Sequence, residues 1–123
     1  MNKRFSTDLI PIIMNALRNR VQLIGNVGSA PEILTLESGR KLAKFSIATD
    51  EIYKNAQGEK ITETQWHNVV AWGSTADFIE NFVQKGKQIG LEGKLVNRSY
   101  ENKEGDRKYV TEVVCNELLL LGK

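Results

Sequence analysis

Apolar and polar residues alternate through most of this sequence, and the two-residue period gives way to a helical one only once. Val21–Val27 is an apolar run interrupted by Gly25, and Ile33–Leu36 is a short run of the same kind. Leu42–Asp50 alternates with Ala43, Phe45 and Ile47 on one face. Thr62–Trp72 is rich in β-branched and aromatic residues, as strands are. Gln88–Tyr100 and Tyr109–Leu120 continue the pattern, joined by the polar hairpin connector Asn102-Lys103-Glu104-Gly105-Asp106. Ser38-Gly39 supplies a turn, and polar Tyr53–Lys60, containing Gly58, reads as a hairpin loop. The exception lies between the third and fourth main strands. There Phe78, Ile79, Phe82 and Val83 share a helical face. Ser74 with Asp77 forms an approximate capping box, and Gly86 after Lys85 stands where a C′ glycine belongs. The spacing predicts a helix over residues 75–85.

Five main strands with one helix between the third and fourth is the order of the OB-fold, a five-stranded Greek-key barrel, so the expected class is all-β. Gly25, Gly90 and Gly93 suit the sharp bends of such a barrel, and a helix with two aromatics, Phe78 and Phe82, is expected to plug one end. Residues 19–121 form this domain, and 122–123 its C-terminal end. Residues 1–18 read as an N-terminal extension open to disorder, with Met14 an alternative start. Within it, Leu9–Ala16 is broken by Pro11 and too weakly flanked for a secretory signal, and sparse Arg and Ser argue against a mitochondrial transit peptide.

The residue inventory excludes most chemistries. The longest apolar run, Leu118–Leu121, is far short of the roughly 20 residues a membrane helix needs. With Cys115 the only cysteine and His67 the only histidine, neither an internal disulfide nor a Cys/His zinc cluster can form within the chain. No cofactor or metal is expected. A lone thiol in an apolar strand points to a reducing compartment, hence the cytoplasm. The phosphate-loop pattern fails, because Gly93-Lys94 is followed by Leu95 and the earlier glycine position holds Gln88. His67 reads as a packed or interface histidine, and acidic Asp50-Glu51 as a solvated pair beside a loop. Catalysis is not expected. Seventeen basic against fifteen acidic residues give a net charge of +2, too little to hold nucleic acid by charge alone.

The aromatic residues supply what charge does not. Trp66 and Trp72 are six residues apart in one strand, so they share a face, roughly 20 Å apart if the strand is straight. Tyr53 enters the same strand from the polar loop, and Tyr100 ends the fourth strand with the parity of Lys94 and Arg98. A flat ring holds any base by its π face, at about 1–3 kcal/mol per base, without reading sequence. Arg18, Arg20, Lys44, Lys54, Lys60, Lys85, Lys87, Lys94, Arg98, Arg107 and Lys108 are the candidate phosphate contacts. Each aromatic taken singly also suits a core, and each cation a solvated surface. The two types interleaved are the signal.

Asn19-Arg20-Val21-Gln22-Leu23-Ile24-Gly25-Asn26-Val27-Gly28 with Pro31-Glu32, and Phe45-Ser46-Ile47-Ala48-Thr49, resemble the first half of bacterial single-stranded DNA-binding proteins. Thr64-Gln65-Trp66-His67-Asn68-Val69-Val70-Ala71-Trp72-Gly73 is similar to that family's most recognisable stretch. Lys85 to Leu95 and Tyr109 to Val114 are similar to its later strands. The resemblance covers about residues 19–121. It implies an OB-fold homotetramer that binds and protects single-stranded DNA without sequence preference in replication, recombination and repair, and that has no catalytic activity. It also implies base stacking at Tyr53, Trp66, Trp72 and Tyr100, where many members carry Trp at the first and last positions and Phe at the third, and a subunit contact near His67. The resemblance implies replication and repair proteins as partners that dock on the family's acidic tail; this sequence ends at Leu120-Leu121-Gly122-Lys123 without that tip, the tail being either removed or lacking in this member, so docking through a tail is not assumed. Two other functions fit the same pattern: a dimeric replication-restart adaptor similar to primosomal replication protein N, and an RNA-binding OB domain, since stacking alone ignores the 2′-hydroxyl.

Overall fold

A computed structural model describes residues 9–122. The elements in order are α1 (Leu9–Arg18), β1 (Val21–Val27), β2 (Glu32–Thr35), β3 (Lys41–Lys54), β4 (Lys60–Trp72), α2 (Gly73–Phe82), β5 (Gln88–Glu101) and β6 (Arg107–Leu120). One sheet runs β1-β5-β6-β4-β3-β2, and β1 also pairs with β3 through Asn26↔Ala48 and Val27↔Ile47. That last pairing closes the sheet into a barrel of five main strands, with β2 appended to β3 and α2 between β4 and β5. The expected all-β OB-fold barrel is therefore the fold found.

Alternation fixes what lies inside. Ala43, Phe45 and Ile47 of β3 face inward with Val69 and Ala71 of β4, Ile89 and Leu91 of β5, and Val113 and Cys115 of β6. Each buried Val, Ile or Phe contributes about 1.5–3 kcal/mol over an exposed one. Two glycines let backbones approach where the barrel bends most. A Cβ on Gly25 would collide with the Ala48 carbonyl at the β1–β3 closure. A Cβ on Gly93 would collide with the Val114 carbonyl, beside the bulge at which β5 and β6 shift register between Glu92 and Gly93.

Three hairpin turns share one design. Leu36–Arg40, Asn55–Glu59 and Asn102–Asp106 each carry glycine fourth, at Gly39, Gly58 and Gly105, all with positive φ. In each, the glycine N–H donates to the first residue's carbonyl, and the first residue's N–H donates to the fifth residue's carbonyl. In two of them asparagine at the first position locks the turn from its side chain: Asn55 Oδ1 accepts from Gln57 and Glu59 N–H, and Asn102 Oδ1 from Glu104 and Asp106 N–H. These tight turns let β3 and β4 remain paired out to Lys54↔Lys60, and β5 and β6 out to Glu101↔Arg107. Of the segment expected to be a loop from Tyr53 to Lys60, Tyr53, Lys54 and Lys60 are strand and residues 55–59 form the turn.

The helix departs from expectation in its ends and its buried face. It starts at Gly73 with Trp72 as N-cap and no side-chain cap, so Ser74 is not the cap and no capping box forms. Asp77 instead meets the Lys41 ammonium at 2.8 Å, as Glu80 does at 2.7 Å, tying α2 to β3. The helix ends at Phe82, and Gly86 belongs to the following turn, in which Lys87 N–H donates to the Gln84 carbonyl. Ala76, Ile79 and Val83 plug the barrel. Phe78 and Phe82 do not: both are exposed, with ring centroids 4.9 Å apart. The expectation of an N-terminal extension placed no element before Val21, whereas Leu9–Arg18 is helical. Pro11 is tolerated there because first-turn N–H groups have no intrahelical acceptor. Residues 1–8 and 123 lie outside the described residues. Among the described residues no helix is long and apolar enough to cross a membrane, and no group of three or more metal-ligating side chains occurs.

Candidate nucleic-acid interface

Strand register places the candidate residues. Along β4 the core-facing side chains are Val69 and Ala71, so Trp66, Asn68, Val70 and Trp72 point outward. On β3 the outward neighbours in register are Ala48, Ser46, Lys44 and Leu42, opposite Trp66, Asn68, Val70 and Trp72 respectively. Val70 also pairs with Val114 of β6, and Val114 with Lys94 of β5. Lys44 and Lys94 therefore end one cross-strand row with two valines between them, roughly 14 Å apart at about 4.8 Å per strand. Arg98 and Tyr100 continue the outward row of β5 beyond Lys94. Over the barrel, one outer face thus carries Trp66, Trp72 and Tyr100 with Lys44, Lys94 and Arg98.

Each ring has its own support. Trp66 is 63% exposed and rests on Gly28, where a Cβ would strike its Cζ3 and Cη2. Glycine there lets the indole lie against the chain just beyond β1, leaving its remaining surface to solvent. Trp72 is half-buried, and the Arg40 guanidinium lies 4.1 Å from its centroid. Tyr100 is 48% exposed with the Arg98 guanidinium 5.9 Å from its centroid. Between the two tryptophans a concavity of about 460 Å³ is bordered by Ser29, Lys44, Ser46, Asn68, Val70 and Glu112. Its lining mixes polar and apolar side chains and includes the Glu32 carboxylate.

Tyr53 does not join this face. It is 41% exposed, but its parity is that of Ile47 and Thr49, so it leaves the β3–β4 ribbon on the side opposite Trp66. Its hydroxyl donates to Glu63 at 2.8 Å, and that carboxylate raises the phenol above its ordinary range. The expected platform of four rings is three on one face and one behind the ribbon, because an odd separation between Tyr53 and Trp66 reverses the side.

The cations divide similarly. Lys54 and Lys60 face one another at the tip of the β3–β4 ribbon on the Trp66 side. Arg20 precedes β1 and pairs with Glu92 at 3.2 Å, one strand away from β6. The turn bearing Lys85 and Lys87 is hydrogen-bonded to Val27, next to the Gly28 on which Trp66 rests. Arg107 bonds Ser99 and Glu101 within its own hairpin. His67 sits at the base of the ribbon, its Nε2 2.9 Å from Thr49 Oγ1. Cys115 is buried, and burial pushes its thiol up to about 11, which suits packing and not reactivity.

Two residues at this face were absent from the sequence-based set. Glu112 is buried and holds Arg98 by two bonds, Nε–Oε1 at 2.8 Å and Nη2–Oε2 at 3.3 Å. The guanidinium keeps the carboxyl below the usual carboxylate range, against the opposing effect of burial, and Lys44 adds to the lowering. Arg40 stands over Trp72. Neither has a sequence signal by itself, since both contacts depend on which strands are neighbours.

The Single-strand binding protein family profile matches residues 18–121. The chain is 43% identical to Single-stranded DNA-binding protein 1 of Chlorobaculum tepidum over 105 residues, which is 85% of this chain and 65% of that protein. It is 40% identical to Single-stranded DNA-binding protein 1 of Xylella fastidiosa over 106 residues, 85% of this chain and 78% of that protein. The chain thus spans less than two thirds of the first relative and more than three quarters of the second. Among solved structures, a chain described as Plasmodium falciparum SSB complex with ssDNA superposes with a TM-score of 0.78 at 28% identity, covering 99% of this chain and all of that one. Fold, outward rings and sequence agree: the chain belongs to the single-strand binding protein family.

Proposed function

We propose that this chain binds and protects single-stranded DNA without sequence preference, in replication, recombination and repair, and does so as a non-catalytic homotetramer in the cytoplasm. The observation that carries this reading is the outer barrel face on which Trp66, Trp72 and Tyr100 alternate with Lys44, Lys94 and Arg98. Stacking needs only the π face of a base, and the lysines and arginine offset phosphate charge. The relatives named above are single-stranded DNA-binding proteins, and the solved neighbour is described in complex with single-stranded DNA. Lys54 and Lys60 extend contacts along the Trp66 side of the β3–β4 ribbon, and Tyr53 offers a further ring on its other side. Arg20, Lys85 and Lys87 add charge at its margins.

Assembly has its own support. Ile24 and Leu119 are 65% and 68% exposed and border, with Gly90 and Leu121, an apolar depression of about 650 Å³ on the β1–β5–β6 surface. Among the described residues β1 pairs with β3 only at Asn26 and Val27, which leaves its edge from Val21 to Gly25 for a second copy. His67 at the ribbon base is the proposed neighbour of a further subunit contact.

The test is a titration with oligo-dT followed by tryptophan emission, together with native mass. Quenching at stoichiometric DNA and a mass of four chains are expected. Unchanged emission rejects the stacking role, and a mass of two chains favours the replication-restart adaptor. Equal competition by poly-U would favour the RNA-binding alternative.

A further inference from the structure

We propose that Arg40 and Trp72 form one composite nucleotide-binding element, in which a base stacks on the outer plane of the guanidinium while its N–H groups meet the adjoining phosphate. The inference deepens the single-stranded DNA reading and rests on it. Trp72 cannot act as a bare ring. It is only partly exposed, and Arg40 stands 4.1 Å from its centroid, so an incoming base meets the arginine first. A guanidinium is itself a flat, weakly hydrated surface on which bases stack, and the indole beneath holds it in place by cation–π attraction.

Backbone geometry delivers Arg40 to that position. It is the fifth residue of the Leu36–Arg40 turn, fixed by the Leu36 N–H to Arg40 carbonyl bond at 2.9 Å and the Gly39 N–H to Leu36 carbonyl bond at 2.8 Å. Leu42 is the register partner of Trp72, and Arg40 lies two residues before it, so its guanidinium reaches the indole as a diagonal neighbour. The equivalent fifth residues of the other two turns are Glu59 and Asp106. Only the turn beside Trp72 presents a cation there.

The adjacent cation cannot substitute. Lys41 has the opposite parity, and its ammonium is held by Asp77 and Glu80 of α2. Arg40 has no carboxylate within ion-pairing distance among the described residues, so its charge is available to a phosphate. Its place also extends the face already described. From Trp66 the outward row of β4 passes Asn68 and Val70 beside the concavity that Lys44 borders, and ends at Trp72 capped by Arg40.

Arg40→Ala and Arg40→Lys are to be compared with wild type by oligo-dT titration over a range of salt. Arg40→Ala should weaken binding about tenfold at low salt and lower the salt slope by about one. Arg40→Lys should restore the slope, because the charge returns, but leave most of the affinity loss, because the plane does not. Wild-type affinity in Arg40→Ala, or tighter binding, would mean that Arg40 only shields the ring and overturns the proposal. Full rescue by lysine would reduce Arg40 to a point charge and overturn it too. Wild-type protein that fails to bind oligo-dT would sink the single-stranded DNA reading and this inference together, whereas binding unchanged by Arg40→Ala sinks this inference alone.

Discussion

Gly28→Ala should impair DNA binding without altering any ring or charge. A Cβ at residue 28 would collide with Trp66 Cζ3 and Cη2 and lie 3.0 Å from Ser46 Oγ, so the indole must leave its seat. Trp66 is 63% exposed, which leaves roughly a third of its surface against the protomer. For a tryptophan of about 250 Å² that third is about 90 Å², and at about 25 cal/mol per Å² its loss destabilises the fold by at most ~2 kcal/mol. The effect on binding is separate. Trp66→Ala removes one base stack of about 1–3 kcal/mol, a loss of about 5- to 140-fold in affinity. Gly28→Ala keeps the ring but leaves it to be ordered by the DNA, at about 0.5–1.5 kcal/mol, or about 2- to 12-fold. Fluorescence titrations with dT, dA and dC oligomers, at a temperature where circular dichroism shows both variants folded, give the comparison. Equal fractional losses on all three are expected, larger for Trp66→Ala. Wild-type affinity in Trp66→Ala, or a loss confined to one base, would refute stacking at this ring. Wild-type affinity in Gly28→Ala alone would refute the claim that Gly28 holds it.

Gly25→Ala places a Cβ against the Ala48 carbonyl, a backbone atom that no rotamer change can move, so the barrel closure should open at about 3 kcal/mol; an unchanged urea midpoint would contradict this. Glu112 has a folded pKa below its unfolded value, so its pairing with Arg98 stabilises the protein above the ordinary carboxylate range and is lost as pH falls through the lowered value. Glu112→Gln should therefore be less stable than wild type at neutral pH, with the gap closing on acidification; a gap independent of pH would count against the pairing. Cys115 should resist alkylation by iodoacetamide in the native state at neutral pH and react on unfolding, since burial lifts its thiol to about 11. The folded value lies above the unfolded one, so the native state is favoured below the ordinary thiol range and loses that advantage as pH rises toward 11. Fast alkylation of folded protein would show that the thiol is accessible.

Much of the fold was legible because barrel strands repeat every two residues and each inward side chain is apolar. The first strand over Val21–Val27 and the inward set Ala43, Phe45 and Ile47 follow from that period alone. So does the shared face of Trp66 and Trp72. Helix limits were less legible. Ser74 and Asp77 match a capping box locally, but α2 begins directly at the end of β4, and Asp77 is drawn to Lys41, a residue 36 positions earlier. Phe78 and Phe82 lie on the apolar side of a helical wheel, yet the barrel buries Ala76, Ile79 and Val83 and leaves the rings outside. Tyr53 departs from the expected face because a loop residue has no parity to read; with β3 reaching Lys54, parity sends the ring behind the ribbon.

By itself the sequence determined strand periodicity, the glycine turns and the candidate rings, since each depends on residues within a few positions of one another. Only the tertiary structure decided that Tyr100 joins the face of Trp66 and Trp72 while Tyr53 does not, that Glu112 holds Arg98, and that Arg40 lies over Trp72. Those relations arise from register and closure between distant strands, and a shift of one residue in any ladder would send the same side chains to the opposite side.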